Sequence, residues 1–341
     1  MDINIKHTSL HHIDHANNEI NEIDITNQGE ALAEYINRLV NEISSSNSKR
    51  SFVFQRGTTE VRSAIAGFLA GNYADGTISN AQRLLSVEQE TQEQISHLNK
   101  EIQKGSLFQA VIVENGTTKV IISKADHSQY LDETDFLVHR GLPWKKRVFK
   151  AVLVIFDTNH EVENIFVFDT NSIMSKYWWH GYLELKEKHT DIHNTKTSLD
   201  VLDKKIFNPI KKKHPADHIV IRNSAVGYFR NKEEFELNDF IDSILTNYQP
   251  VDPNLSTEKL ISKASELPDK WNFDPRFKIK KEEINKRIVN KVALTDSIEL
   301  VFKDHVTNLR DAIVAVKDSE GNKYIKIRTD AGYDRFTDET S

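Results

Sequence analysis

Three features of the sequence predict an α+β fold: an antiparallel sheet covered by helices, with a smaller α+β portion towards the C-terminus. The first is a pair of apolar, β-branched runs, Gly105 to Val113 and Thr117 to Lys124, separated by Glu114-Asn115-Gly116. Asn-Gly is a strong short-range hairpin signal, because a type I′ turn needs positive φ at both central residues. The second is two further runs, Arg147 to Phe156 and Asn164 to Asp169, too short and too β-branched for buried helices, which extend the hairpin into a meander. The third is apolar spacing of three and four residues in the segments before the meander, the signature of helices with one face on a core.

In chain order, Ile3 to His7 alternates and reads as a strand, with Glu19 to Ile25 as its antiparallel partner. His11, His12 and His15 lie between them without an acidic ligand at metal-site spacing, so they read as a solvated strand end. Thr26 or Asn27 is placed to cap a helix with the stripe Ala31, Leu32, Tyr35, Ile36, Leu39, Val40 and Ile43, which the loop Ser44 to Ser48 ends. Phe52 to Phe54 is a short strand, and Thr59 to Leu69 a helix. The longest helix is expected over 80–104, roughly 37 Å at 1.5 Å per residue. Its narrow stripe (Leu84, Val87, Ile95, Leu98, Ile102) suits packing within the chain or a homodimer seam.

Beyond the meander comes Tyr177-Trp178-Trp179-His180-Gly181-Tyr182-Leu183, the densest aromatic stretch. Its rings either stack on bases or plug a core; adjacent rings on a regular element face different ways, which favours the core. Leu199, Leu202, Ile206 and Ile210 mark a helix with basic flanks, Ile219 to Ile221 a strand or a helix turn, and Phe235 to Leu245 another helix. Two prolines within Tyr248 to Asn254 mark a linker. Helices at Thr257 to Glu266 and Lys281 to Val289, then strands at Ser297 to Phe302, Ala312 to Lys317 and Lys323 to Arg328, complete the chain. The expected division is an N-terminal α+β domain at 1–195, a helical connector at 196–248 and a small α+β portion at 256–330.

Composition limits the function classes. The 341 residues contain no cysteine, so disulfides, cysteine-zinc sites and thiol catalysis are absent. No apolar run approaches the roughly 20 residues that cross a bilayer, and the start lacks the basic and apolar blocks of a signal peptide; a cytoplasmic protein without a membrane partner is expected. Net charge is -6. Proteins that neutralise phosphates usually carry a basic surplus, so any DNA contact here needs a local patch on an acidic body.

Three basic groups offer such a patch. Trp144, Lys145, Lys146, Arg147 and Lys150 combine a ring with four cations. Lys204, Lys205, Lys211, Lys212 and Lys213 lie on or after one helix. Lys278, Lys280, Lys281, Lys286 and Arg287 form the third, partly cancelled by Glu282 and Glu283. A P-loop, G-x-G-x-x-G, G-x-S-x-G and H-E-x-x-H are all missing from the sequence. Asp169 followed by Glu184-Leu185-Lys186 copies the D…E-x-K order of nucleases in which two carboxylates hold Mg²⁺ and a lysine assists; in that pattern the E-x-K occupies a strand, whereas Glu184 here falls in an aromatic, helix-like segment. His189 and His193, with Asp191 between them, have the i, i+4 spacing of a metal pair but lack an identifiable third ligand.

The order Lys104-Gly105-Ser106-Leu107-Phe108, Ser123-Lys124-Ala125-Asp126, Gly141-Leu142-Pro143, Phe149-Lys150-Ala151 and Phe168-Asp169 resembles the bacterial nucleoid-associated (NdpA/YejK-like) family. Ser106 stands where that family usually has Asp, and Ala125 interrupts its Lys-to-Asp spacing. The resemblance covers most of the chain, but its motifs are structural signatures. It implies a largely sequence-nonspecific, non-catalytic, dimeric DNA-binding protein of the nucleoid, without a cofactor. Two alternatives stand beside it: a Mg²⁺-dependent nuclease in a defence or repair complex, using Asp169, Glu184 and Lys186, and an interaction subunit whose protein partner supplies the chemistry.

Overall fold

The computed structural model describes residues 3–25, 34, 37–39, 41–43, 49–126, 128–131, 138–141, 149–171, 174–285 and 288–337. The chain divides into two compact units, 1–189 and 190–341.

The first unit is built on an antiparallel eight-stranded sheet. Its strands are β1 (Ile3–Asp14), β2 (Glu19–Glu22), β3 (Arg50–Phe54), β4 (Gly105–Glu114), β5 (Thr117–Asp126), β8 (Phe149–Phe156), β9 (Val162–Asp169) and β10 (Leu185–Glu187), in the order β10-β3-β9-β8-β5-β4-β1-β2. A separate hairpin joins β6 (Ser128–Leu131) to β7 (Val138–Gly141). Asn115 and Gly116 both have positive φ, 50° and 80°, and set the β4–β5 register with Glu114 opposite Thr117. One face of the sheet carries Leu107, Val111, Val120, Ile122, Val152, Val154 and Val167, and packs against α1 (Glu60–Leu69) and α2 (Tyr73–Ile95). The other face, with Phe108, Ala110, Ile112, Ile121 and Leu153, packs against Leu39 and Ile43, the apolar positions of the helical residues 37–39 and 41–43. Period-2 alternation along the strands thus buries both faces.

The polar exception to this apolar packing is an ion pair. Lys124, on the α2 side of β5, places Nζ 2.7 Å from Glu88 Oε1 of α2, and both side chains have 0% exposure. Lys124 also donates to the Gln103 carbonyl at 2.7 Å, and His15 Nδ1 lies 3.7 Å from Glu88. Next along the helix, Asn80 donates to Gln109 Oε1, and Gln109 donates to the Thr77 carbonyl. Gly105 lies against the same lysine: a Cβ there would sit 2.9 Å from Lys124 Cε and 2.5 Å from the Ala125 carbonyl oxygen, so glycine is required by the close approach of β4 and β5.

The second unit contains α3 (Asp191–Leu202), α4 (Pro215–Asn231), β11 (Glu234–Glu236), α5 (Leu237–Ile241), α6 (Thr257–Ser265), α7 (Leu267–Trp271) and β12 (Arg276–Lys278). Then come β13 (Asn290–Thr295), β14 (Ile298–Phe302), α8 (Leu309–Ala312), β15 (Ile313–Lys317), β16 (Lys323–Ile327) and α9 (Asp330–Tyr333). Its core gathers Leu199, Leu202, Ile206, Phe207, Ile221, Phe229, Phe235, Phe240 and Phe277.

Several expectations are corrected. The segment 196–248 is not a connector: it supplies much of the second core, and the unit begins at Thr190, where Thr190 caps α3 by accepting the His193 amide. The proline-marked linker is tied down, because buried Asp217 accepts the Tyr248 hydroxyl and the Val251 and Asp252 amides. Of the two readings of Ile219 to Ile221 the helical one holds, whereas among the described residues of 281–289 the expected helix is a 3-10 turn at Lys281–Glu283. The long helix starts at Tyr73 and stops at Ile95, where a 3-10 turn and left-handed Asn99 turn the chain towards β4. His11 is not at a solvated strand end: β1 runs on to Asp14, and His11 faces α2 with 1% exposure. Leu183 onwards is not helical: the helix ends at Tyr182 and β10 begins at Leu185. The cap at Thr26 or Asn27 and the loop Ser44 to Ser48 lie outside the described residues.

Removing one partner of a fully buried ion pair leaves an uncompensated charge and costs about 3–5 kcal/mol. Lys124→Met and Glu88→Leu should each lower the urea-unfolding stability of the protein by about that amount, while the double variant recovers most of the loss. Additive losses in the double variant would contradict the pairing.

Candidate nucleic-acid interface

The three basic groups fare differently. Trp144, Lys145, Lys146 and Arg147 lie outside the described residues. Lys150 is buried rather than presented to solvent, with Nζ 5.9 Å from the centre of the Tyr177 ring. The aromatic stretch beside it plugs the core: Trp178 and Tyr182 are fully buried on a π-helical turn, Tyr177–Tyr182. In the third group Lys281 is paired with Glu233, and Lys196 takes Glu283 at 2.6 Å; Lys286 and Arg287 lie outside the described residues. Lysine beside Glu233 holds that carboxyl below its ordinary range.

The second group lies wholly within the described residues. After α3 the chain continues through a π-helical turn, Asp203–Phe207, and a short helical turn, Asn208–Ile210. Ile206, Phe207 and Ile210 are buried in the core, which turns Lys204, Lys205, Lys211, Lys212 and Lys213 outwards; all five are exposed. Neighbouring carboxylates are engaged elsewhere. Asp203 accepts from Arg222 at 2.7 and 3.1 Å, Asp252 holds His214 at 2.8 Å, and Asp217 is committed to the Tyr248 to Asp252 segment. Among the described residues, no ion pair joins any of the five lysines to a carboxylate. At 1.5 Å per residue the lysines span roughly 14 Å, the rise of about four phosphates of one DNA strand at 3.4 Å each.

One member of this surface escaped the sequence reading. Trp271, at the end of α7 and 43% exposed, lies under Lys205, whose Nζ is 4.2 Å from the ring centre. The two residues are far apart in sequence, and only tertiary packing brings them together. An exposed indole beside a lysine cluster supplies a stacking face as well as charge.

The structure separates the nuclease-like residues. Arg50 of β3 pairs with Val167 of β9, and Phe54 of β3 with Leu185 of β10. Asp169 therefore lies beyond one end of β3 and Glu184 beyond the other, roughly 23 Å apart along the strand direction at ~3.3 Å per residue. Mg²⁺ takes its oxygen ligands at about 2 Å, so these carboxylates do not share an ion. Each has a structural task. Asp169 accepts the amides of Asn171 and Ser175 at 2.9 and 2.8 Å. Glu184, at a left-handed φ of 51°, accepts the Glu60 amide at 2.7 Å at the start of α1, with Arg83 at 3.7 Å and Arg56 at 3.8 Å. Lys186 is exposed on β10, so the E-x-K does run into a strand, but a different strand from the one beside β9. His189 precedes the cap of α3 and so does not share a helix face with His193, whose Nε2 lies 3.0 Å from the Asn272 carbonyl. Among the described residues no group of three or more His, Asp or Glu is placed to hold a metal ion.

Behind the lysine surface, His218 of α4 is 2% exposed. Burial, reinforced by Lys211 and Arg222, pushes its pKa down to about 4. The unfolded chain then binds this proton from about pH 6.5 downwards while the folded chain does not, so stability falls as pH drops from 6.5 towards 4. Burial lowers His7, His11 and His12 in the same direction. Urea unfolding of the wild type should show this loss between pH 7 and pH 5, and His218→Leu should show less of it. Identical pH dependence in both proteins would contradict the assignment.

No protein-family model matches the chain, and no curated protein matches it. Among the described residues no helix is long and apolar enough to cross a membrane.

Proposed function

We propose that this chain is a largely sequence-nonspecific, non-catalytic DNA-binding protein that acts as a homodimer in the nucleoid. The observation that carries this reading is the set of five exposed lysines at 204–213, whose neighbouring carboxylates are bound elsewhere. Counterion release by such a cluster gives affinity without base readout. Trp271 beside Lys205 adds a ring on which an unpaired base can stack, and this makes single-stranded or distorted DNA an acceptable ligand as well as duplex. The resemblance of the 104–169 motifs to nucleoid-associated proteins points the same way. A dimer would double the number of lysine segments and so compensate for the acidic body. The distance between Asp169 and Glu184 speaks for binding without Mg²⁺-dependent cleavage.

In a gel-shift titration at low salt, Lys211→Glu/Lys213→Glu should bind a labelled DNA of arbitrary sequence at least ~10-fold more weakly than wild type. Lys186→Glu, on the other unit, should bind as wild type, and added Mg²⁺ should produce no cleavage. Equal binding by the 211/213 variant, or cleavage that Asp169→Ala abolishes, would contradict the reading.

A further inference from the structure

The C-terminal part of the second unit is short of cover. Among the described residues β13 pairs only with β14 and β15 only with β16, in two separate two-stranded sheets. A two-stranded hairpin is marginally stable in water without a packed face. Between the hairpins and α4 lies a cavity of about 360 Å³. Its walls are Ile219 and Val220 of α4, Leu294 and Leu300 of the first hairpin, and Ala315 and Ile325 of the second, and its one charged lining residue is Arg310.

The second hairpin continues this wall in a telling way. Its register places Ile313 opposite Ile327, Ala315 opposite Ile325 and Lys317 opposite Lys323, all on one face. Directly opposed like charges destabilise a hairpin, and among the described residues neither lysine has an ion-pair partner. Ile325 and Ile327 are each nearly half exposed. The hairpin face that lines the cavity through Ala315 and Ile325 thus runs on to a lysine pair, which fits an occupant with apolar side chains flanked by carboxylates.

Such a segment follows immediately in this chain. Thr329 caps α9, with its hydroxyl accepting the Gly332 amide, and the turn continues through Phe336, whose amide donates to the Tyr333 carbonyl. Tyr333 and Phe336 are three residues apart, hence on one side of the turn, and are 66% and 93% exposed. Asp330 and Asp334 lie beside them and Arg335 between them, and Asp338 and Glu339 follow in the sequence, so acidic residues outnumber basic ones from 329 onwards. The start of the tail is held to its own hairpin by the Arg328 amide on the Ala312 carbonyl, and its rings do not fill the cavity beside it.

We propose that the occupant is the tail of a second copy: Tyr333 and Phe336 of one chain enter the apolar cavity of its partner, and the acidic residues around them meet the Lys317/Lys323 pair. Reciprocal exchange gives a closed two-fold dimer, in which the same surface serves both subunits. This rests on the homodimer part of the reading above and assigns it a surface distinct from the 204–213 lysines.

The absence of native cysteine allows a clean test. Full-length chains carrying Leu294→Cys or Phe336→Cys, differently tagged and co-expressed, are mildly oxidised, and the products are resolved by mass. The expected result is a mixed disulfide between position 294 of one chain and 336 of the other, lost when Lys317→Glu/Lys323→Glu is added. Failure to form the mixed disulfide overturns the proposal, as does a double-cysteine chain that links only within itself. Light scattering of wild type separates the two readings. Where the mixed disulfide fails to form, a wild-type dimer refutes this surface alone, whereas a wild-type monomer refutes the dimer as well.

Discussion

The buried contact between Glu88 and Lys124 fixes how the first unit is put together. Both charges are sealed from solvent, so helix and sheet can separate only by exposing an ion to an apolar surface or by letting water in. Its consequences spread to neighbouring residues. Lys124 fills the space that a side chain at position 105 would need, and glycine there lets β4 approach β5. His15 is drawn against the same carboxylate, and the Asn80–Gln109–Thr77 hydrogen bonds continue the polar seam along α2. An apolar interface alone would permit the helix to slide; a row of directional contacts allows one register.

Charge is distributed by a different logic in the second unit. Acidic residues near the 204–213 segment are spent on internal work: Asp203 on Arg222, Asp217 on the Tyr248 to Asp252 segment, Asp252 on His214. A chain with net charge -6 can therefore still present a cationic surface, because the excess of carboxylates does not reach it. The segment 278–283 is partly neutralised instead, with Lys281 tied to Glu233 and its own Glu283 tied to Lys196. Position in the fold, rather than lysine count, separates the two.

Local chemistry was readable in the sequence, and long-range partnership was not. Asn115-Gly116 announced its hairpin because the turn requires positive φ at consecutive residues, a constraint contained in two letters. The apolar, β-branched runs of the meander likewise foretold an antiparallel sheet covered by helices. By contrast nothing in the α2 sequence signals that Glu88 will meet a lysine on β5. Ile219 to Ile221 read as a strand or helix turn because three β-branched residues carry too little periodicity to distinguish the two. The Asp169 and Glu184-Leu185-Lys186 spacing looked catalytic because spacing does not encode strand order: β3, from much earlier in the chain, inserts between β9 and β10. Trp271 beside Lys205 had no sequence signal at all.

The claim that an acidic protein grips phosphate through one uncompensated lysine segment is tested most directly by the salt dependence of its DNA affinity. With about five phosphates neutralised per subunit, the log of the association constant should fall against log salt with a slope near -4.5 for each subunit that engages the DNA, and similarly for DNA of unrelated sequences. A slope near zero, or no binding at low salt, would contradict the account.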